Sequence, residues 1–252
     1  MERDDRAPVA TFFVEAPLVA ETTATLGERA AHHARVKRLV VADRVRLSDG
    51  AGRVAVGSIE SIMRGALDVA VTMVDTVPMP SPIHLCAPIA DRDRMLWLAE
   101  KATELGAASW QSVRFHRSAS VSPRGEGPAF AEKLRARMIS ALEQSGGAWL
   151  PNMLPEITVE ALEVGSEQFP IVLDLAGDSI ADVAASVLHQ SPAVLIGPEG
   201  GIEPAELDAL VARGWKRARL AGTTLRFETA GIAALAVLRA VHMSKGAPTN
   251  GR

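Results

Sequence analysis

The chain has 252 residues, 48% of them apolar and 23% charged, and a net charge of −3. That balance excludes a disordered, fibrous or collagen-like chain for most of the length, and a prior of roughly 150 residues per domain points to about two domains. The single cysteine, Cys86, excludes a disulfide framework and a cysteine-based zinc site. The polar N-terminus carries no apolar signal core, and the longest uncharged apolar run, residues 229–238, is too short to cross a bilayer. A cytoplasmic protein with no membrane contact is expected.

Up to about residue 77 the sequence reads as short β-rich runs: 11–14, 44–47, 53–58 and 66–74. Ser48-Asp49-Gly50-Ala51-Gly52 lies between two alternating runs and predicts a hairpin connection; no helix follows it, which argues against a nucleotide loop. Residues 25–41 read as a helix whose basic side chains project from a small β-barrel. Three prolines in Pro78-Met79-Pro80-Ser81-Pro82 fix an extended linker. They set a boundary between a domain of residues 1–77 and one of residues 78–246, with a disordered tail at 247–252.

After the linker, strands alternate with helices. Strands are expected at 83–88, 109–115, 171–175, 193–196 and 218–220. Helices are expected at 91–105, 128–145, 180–189, 204–213 and 229–244. Continuous apolar strands alternating with helices predict an α/β domain with a parallel sheet covered on both faces. Ligands in such sheets bind beyond the carboxyl ends of the strands, which directs attention to the turns after Leu175, Ile196 and Leu220.

Charge is unevenly placed. Basic islands at 29–46, 114–137 and 213–226 in a slightly acidic chain suggest a face that meets phosphate. With ten aromatic residues and no tyrosine, a base-stacking platform is not expected. The run Gly197-Pro198-Glu199-Gly200-Gly201 follows a buried strand and precedes a helix. Its glycines admit close approach to the backbone, and its amides face a helix start. It is neither a P-loop nor a dinucleotide fingerprint. The segment from Leu220 to Ala230 again links strand to helix and places Gly222, Leu225, Arg226, Glu228 and Thr229 in one turn. An N-cap accounts for Thr229 or Glu228 but not for Arg226. Glu100 and Glu104 share a helix face beside Lys101, and Glu143-Gln144-Ser145 ends a helix. His32 and His33 are adjacent and cannot face one site, so no metal is expected. His116 and Cys86 read as structural.

In this order the motifs resemble the RsmE-type small-subunit ribosomal RNA uridine-N3 methyltransferases of the SPOUT superfamily, over essentially the whole chain. His32…Val36-Lys37-Arg38 is similar to the family's amino-terminal His-x-x-x-Val-Leu-Arg element. Lys101-Ala102-Thr103-Glu104-Leu105-Gly106, Arg117-Ser118, Glu143-Gln144-Ser145, Gly197–Gly201 and residues 225–230 match its further signatures. Two departures stand out: Gly147 where the family usually has a basic residue, and Thr11 where it tends to have Arg. The resemblance implies a PUA-like β-barrel followed by a SPOUT α/β domain with a C-terminal trefoil knot, a homodimer, and bound S-adenosylmethionine; the alternative readings are a SPOUT methyltransferase acting on another RNA and a non-catalytic RNA-binding ribosome assembly factor. The cofactor residues it implies are Leu175, Ile196, Gly197, Pro198, Glu199, Gly200, Gly201, Leu220, Gly222, Leu225, Arg226, Thr229 and Ala230. The implied RNA contacts, to small-subunit ribosomal RNA or the 30S subunit, are His32, Arg35, Lys37, Arg38, Lys101, Glu104, Arg117 and Gln144. In the implied reaction Arg226 stabilises charge on the uracil, while Glu228, Glu199 or a water accepts the proton.

Overall fold

The structure, a computed structural model, describes residues 7–120, 123–187 and 189–246. The expected tail at 247–252 lies outside the described residues. The chain divides into two compact units. One holds the residues up to Met79 with Ile139–Leu150; the other holds Pro80–Met138 and the residues from Pro151 onward. One division falls inside the proline-rich segment. The excursion of residues 139–150 into the first unit has a packing cause: Ile139, Leu142 and Leu150 close over Phe13.

The first unit contains strands β1 (Thr11–Phe13), β2 (Thr22–Leu26), β3 (Arg44–Ser48), β4 (Arg53–Ile62) and β5 (Leu67–Thr76), with helix α1 (Glu28–Val36). They form a sheet in the order β1-β3-β4-β5-β2, with β1 parallel to β3 and the other pairs antiparallel. Alternation along the strands buries Phe12, Leu47, Ile59 and Leu67 against the alanine face of α1, Ala30, Ala31 and Ala34. The expected helix over 25–41 is shorter than its pattern suggests. The β-branched run Thr22–Leu26 pairs with β5 instead, Gly27 caps the helix in an extended conformation, and Arg38 leaves it at φ +56°. The hairpin at 48–52 forms as expected: the Asp49 carboxylate accepts from the amides of Ala51 (2.8 Å) and Arg53 (3.0 Å). Gly52, at φ +93°, lies against Trp149, where an added Cβ would stand 2.3 Å from the ring.

The second unit carries six parallel strands in the order β11-β9-β10-β6-β7-β8. They are β6 (His84–Pro88), β7 (Ser109–Arg114), β8 (Asn152–Thr158), β9 (Gln168–Ser179), β10 (Ser191–Leu195) and β11 (Lys216–Arg219). The helices are α2 (Arg92–Glu104), α4 (Ile180–Ser186), α5 (Pro204–Ala212) and α6 (Phe227–Gly246), with a 3-10 turn at His116–Ser120; α3 (Pro128–Ser145) begins in this unit, and its residues from Ile139 onward belong to the first. Helices α2 and α4 pack on α6. Leu210 of α5 joins a buried cluster with Val113, Val172, Leu195 and Trp215. Strand β8, which the sequence reading did not anticipate, is mostly exposed and includes Pro155; at a sheet edge its missing N–H costs nothing. Gly231 lets α6 approach closely, because a Cβ there would lie 2.7 Å from side-chain carbons of both Ile196 and Leu98. Since β11, β9 and β10 are neighbours running the same way, the turns that leave them emerge side by side.

Candidate active site

Strand β10 stays tied to the sheet as far as Ile196, whose N–H donates to Cys86 O (3.1 Å). The glycine-rich turn begins at the next residue. Gly197 faces Ile202, where a Cβ would stand 2.7 Å from the side chain. Gly201, at φ +75°, donates its N–H to Pro198 O (2.8 Å) and closes the turn. Helix α5 then starts, with Glu203 N–H donating to the Glu206 carboxylate (2.8 Å). After β11, residues 220–226 form a second bend, and the Ala230 N–H to Arg226 O bond (2.9 Å) opens α6. The middle of β9, where its register against β11 shifts, contributes Leu173, Asp174 and Leu175, the last 50% exposed.

These three segments enclose a cavity of about 500 Å³. Of the residues expected there, Leu175, Ile196, Gly197, Pro198, Glu199, Gly201, Leu220, Leu225, Arg226 and Ala230 line it. Gly200, Gly222, Glu228 and Thr229 belong to the same turns but are not among the lining residues. Asp174, Ile202, Thr223 and Thr224 line it without having been singled out. The wall is thus largely aliphatic with a few polar groups, the composition of a small-molecule site. Asp174 is ion-paired with Arg217.

Arg226 is exposed and makes no ion pair or side-chain hydrogen bond among the described residues. Glu228 is 4% exposed, and its Oε2 is buried without a hydrogen-bond partner. Arg94 reaches toward both carboxylates, with Nε 3.9 Å from Glu228 Oε1 and Nη1 3.8 Å from Glu199 Oε1. Sequence reasoning missed Arg94. The usable signal was its place in Asp91-Arg92-Asp93-Arg94, just past the carboxyl end of β6, where Asp91 accepts from the amides of Asp93 and Arg94 and starts α2.

The turn after β7 is tied to the start of α5. His116 donates its backbone N–H to Glu206 (2.8 Å), and its ring nitrogens contact Glu203 (3.2 Å) and Glu160 (3.1 Å). His116, Glu160 and Glu206 place three possible metal-ligand atoms together. Their donors and acceptors are engaged with one another and with backbone N–H groups, which defines an ion-pair cluster. Hydrogen bonding to Glu203, with the charge of Glu206, pushes the His116 imidazole above its ordinary value of 6.5. The folded state therefore holds this proton more tightly than the unfolded chain. The resulting stabilisation is complete below the unfolded value and fades as pH rises through the higher folded one. The gap in Tm between wild type and His116→Gln should be wider at pH about 6 than at pH about 9. A gap that is constant or grows with pH would contradict this assignment.

The expected RNA contacts fall on both units. His32, Lys37, Arg38 and Gln144 are exposed on the first. Arg35 there donates to the carbonyls of Met63 (2.8 Å) and Arg64 (3.1 Å). Glu143, beside Gln144, is structural: it accepts from Phe13 N–H (2.9 Å) and forms a two-pronged pair with Arg29 (2.8 and 2.7 Å). On the second unit Lys101 is paired with Glu100 and Glu104, each at 2.8 Å. Arg117 faces the glycine turn, donating to Gly200 O (3.0 Å).

Comparison with known proteins agrees with this architecture. The RNA methyltransferase domain family matches residues 77–239, and the RNA methyltransferase PUA domain family matches residues 26–72. The chain belongs to the RNA methyltransferase family. Ribosomal RNA small subunit methyltransferase E of Mycobacterium bovis is 32% identical over 220 residues, covering 83% of this chain and 82% of the relative. The protein of that name from Bacillus subtilis is 24% identical over 232 residues, covering 87% and 90%. A crystal structure of ribosomal RNA small subunit methyltransferase E from Neisseria gonorrhoeae, bound to S-adenosyl methionine, superposes with a TM-score of 0.80 at 24% identity, covering 92% of this chain and 97% of that one. Within the family, this chain falls in the ribosomal RNA small subunit methyltransferase E group.

Proposed function

We propose that this chain methylates N3 of a uridine in small-subunit ribosomal RNA, using S-adenosylmethionine as methyl donor. The observation that carries the reading is the cavity at the carboxyl edge of β9, β10 and β11, with Arg226 unpaired among the described residues on its wall. The residues present fit the donor. A space of about 500 Å³ lies within the range of small-molecule sites. Leu175 and Ile196 offer apolar surface to a base, and the backbone groups of Gly197–Gly201 and residues 220–225 offer polar contacts to a nucleoside. S-adenosylmethionine supplies an electrophilic methyl group on a sulfonium.

The chain supplies the rest. Neutral uracil N3 is a poor nucleophile and must lose its proton. Glu199 is the acceptor, because it lines the cavity and is partly exposed, whereas Glu228 is buried and not among the lining residues. Arg226, with no internal partner to release, stabilises the negative charge that develops on the uracil carbonyls. Residues 1–77 form the RNA-gripping domain, with His32, Lys37 and Arg38 exposed for contact and Arg35 shaping the neighbouring turn; Gln144, outside this range, is exposed as well. Residues 78–246 form the methyltransferase domain, with the glycine turn and the 220–226 bend as the arms of a trefoil knot. Homodimer formation is favoured by Trp97 on α2 and Met243 on α6, 46% and 67% exposed apolar side chains on two helices that pack together. No helix among the described residues is long and apolar enough to cross a membrane; the protein works in the cytoplasm, where its substrate is assembled. Mass spectrometry of small-subunit RNA from a strain lacking the gene should show the loss of one N3-methyluridine. An unchanged modification pattern would contradict the proposal.

A further inference from the structure

We propose that Arg117 is a positioning residue of the cofactor turn and not a phosphate contact. The inference rests on the reading of Gly197–Gly201 as part of the donor site. Strand β7 neighbours β6, which neighbours β10, so the turn after β7 leaves the same sheet edge as the glycine turn. The first residues of the turn after β7, 115–118, are tied down by hydrogen bonds. Ser118 is buried and its hydroxyl accepts from Phe115 N–H (3.2 Å), while His116 N–H is anchored on Glu206. From this base Arg117 Nη1 donates to Gly200 O at 3.0 Å, and Nε lies 3.4 Å from Glu203 Oε1. The approach is tight at position 200: a Cβ there would stand 3.0 Å from Arg117 Cβ, so the arginine would have to give by a few tenths of an ångström, and 3.5 Å from Arg117 O.

The effect on the turn is specific. The peptide between Gly200 and Gly201 has its carbonyl fixed by the guanidinium and its N–H fixed by Pro198 O (2.8 Å). Both ends of one peptide dipole are therefore assigned before any ligand arrives. An arginine gripping RNA phosphate would have to give up Gly200 O and Glu203, leaving that carbonyl without its charged donor. The same contact explains why two adjacent glycines stand here: Gly201 supplies the positive φ and Gly200 the room for Arg117.

The test is paired titration of the full-length protein. Calorimetry gives the Kd for S-adenosylmethionine. Filter binding to small-subunit RNA across a salt series gives the Kd and its salt slope. Arg117→Ala should weaken donor binding roughly tenfold or more, as expected for loss of a charge-assisted hydrogen bond. Its RNA affinity and salt slope should match wild type. Arg117→Lys, which keeps one donor for Gly200 O, should recover part of the donor affinity. Gly200→Ala, whose added Cβ crowds the arginine, should reproduce part of the defect with Arg117 intact. These two variants decide the matter if Arg117→Ala does not fold. Unchanged donor affinity in the folded variants would overturn the proposal. So would a salt slope reduced by about 0.7 to 0.9, the signature of one lost phosphate contact. Wild-type protein that fails to bind S-adenosylmethionine would instead overturn the donor-site reading beneath it.

Discussion

Arg226→Ala should slow single-turnover methyl transfer to unmodified small subunits by about 10²- to 10³-fold, the usual effect of removing one group that stabilises developing charge. Donor affinity should change by less than about threefold, since a charge that acts mainly in the transition state contributes little to ground-state binding. The fold should be nearly indifferent. Arg226 is exposed and makes no ion pair or side-chain hydrogen bond among the described residues, so its removal orphans no buried group; such surface changes usually stay within about 0.5 kcal/mol. Arg226→Lys keeps the charge but not the flat fork, and should restore only part of the rate. Unaltered transfer by the alanine variant would remove Arg226 from the reaction.

Glu199→Gln should be the second severe change. Loss of a general base typically costs about 10²- to 10⁴-fold, and the glutamine keeps the size of the side chain on the cavity wall. Single-turnover transfer by the variant and by wild type, compared under the same conditions, reads the loss. Glu228→Gln is the contrast. Its carboxylate is buried, with one oxygen 3.9 Å from Arg94 and the other unpartnered. Its substitution should reduce the rate by less than about tenfold, since it removes a neighbour of the site and not the acceptor. The reverse ranking of the two variants would reassign the base.

Much of the second unit was legible because parallel strands buried on both faces write themselves as short apolar runs, and glycines mark where each turn begins. The turns after Ile196 and Leu220 could be selected from the sheet rule alone, but no turn follows Leu175: β9 runs on to Ser179, and Leu175 reaches the cavity from inside the strand. Strand order was not legible. Nothing in residues 168–219 states that β9 lies between β11 and β10, yet that adjacency is what brings two bends and the middle of β9 around one cavity. Arg94 and Asp174 escaped for related reasons. One sits at the start of a helix where a charged residue is routine, and the other is inside a strand whose register shifts opposite Arg217 and Ala218. Gly177 allows that shift, because a Cβ there would stand 2.4 Å from Ala218 N, but a lone glycine in a strand does not announce which neighbour it admits. The first unit shows the opposite limit. Residues 22–26 lie beside a strongly helical segment, and only pairing with β5 reveals them as a strand. Arg117 shows that a motif can be found correctly while the contact it makes depends on a turn 83 residues away.

The most direct measurement is a crystal soaked with S-adenosylmethionine. Density for the nucleoside should lie against Leu175, Ile196, Leu220 and Leu225, with its sulfonium methyl directed toward the side of the cavity carrying Glu199 and Arg226. Density elsewhere in the molecule, or a chain path in which the 220–226 bend blocks the space beside Gly197–Gly201 and leaves the soaked compound unbound, would contradict the account.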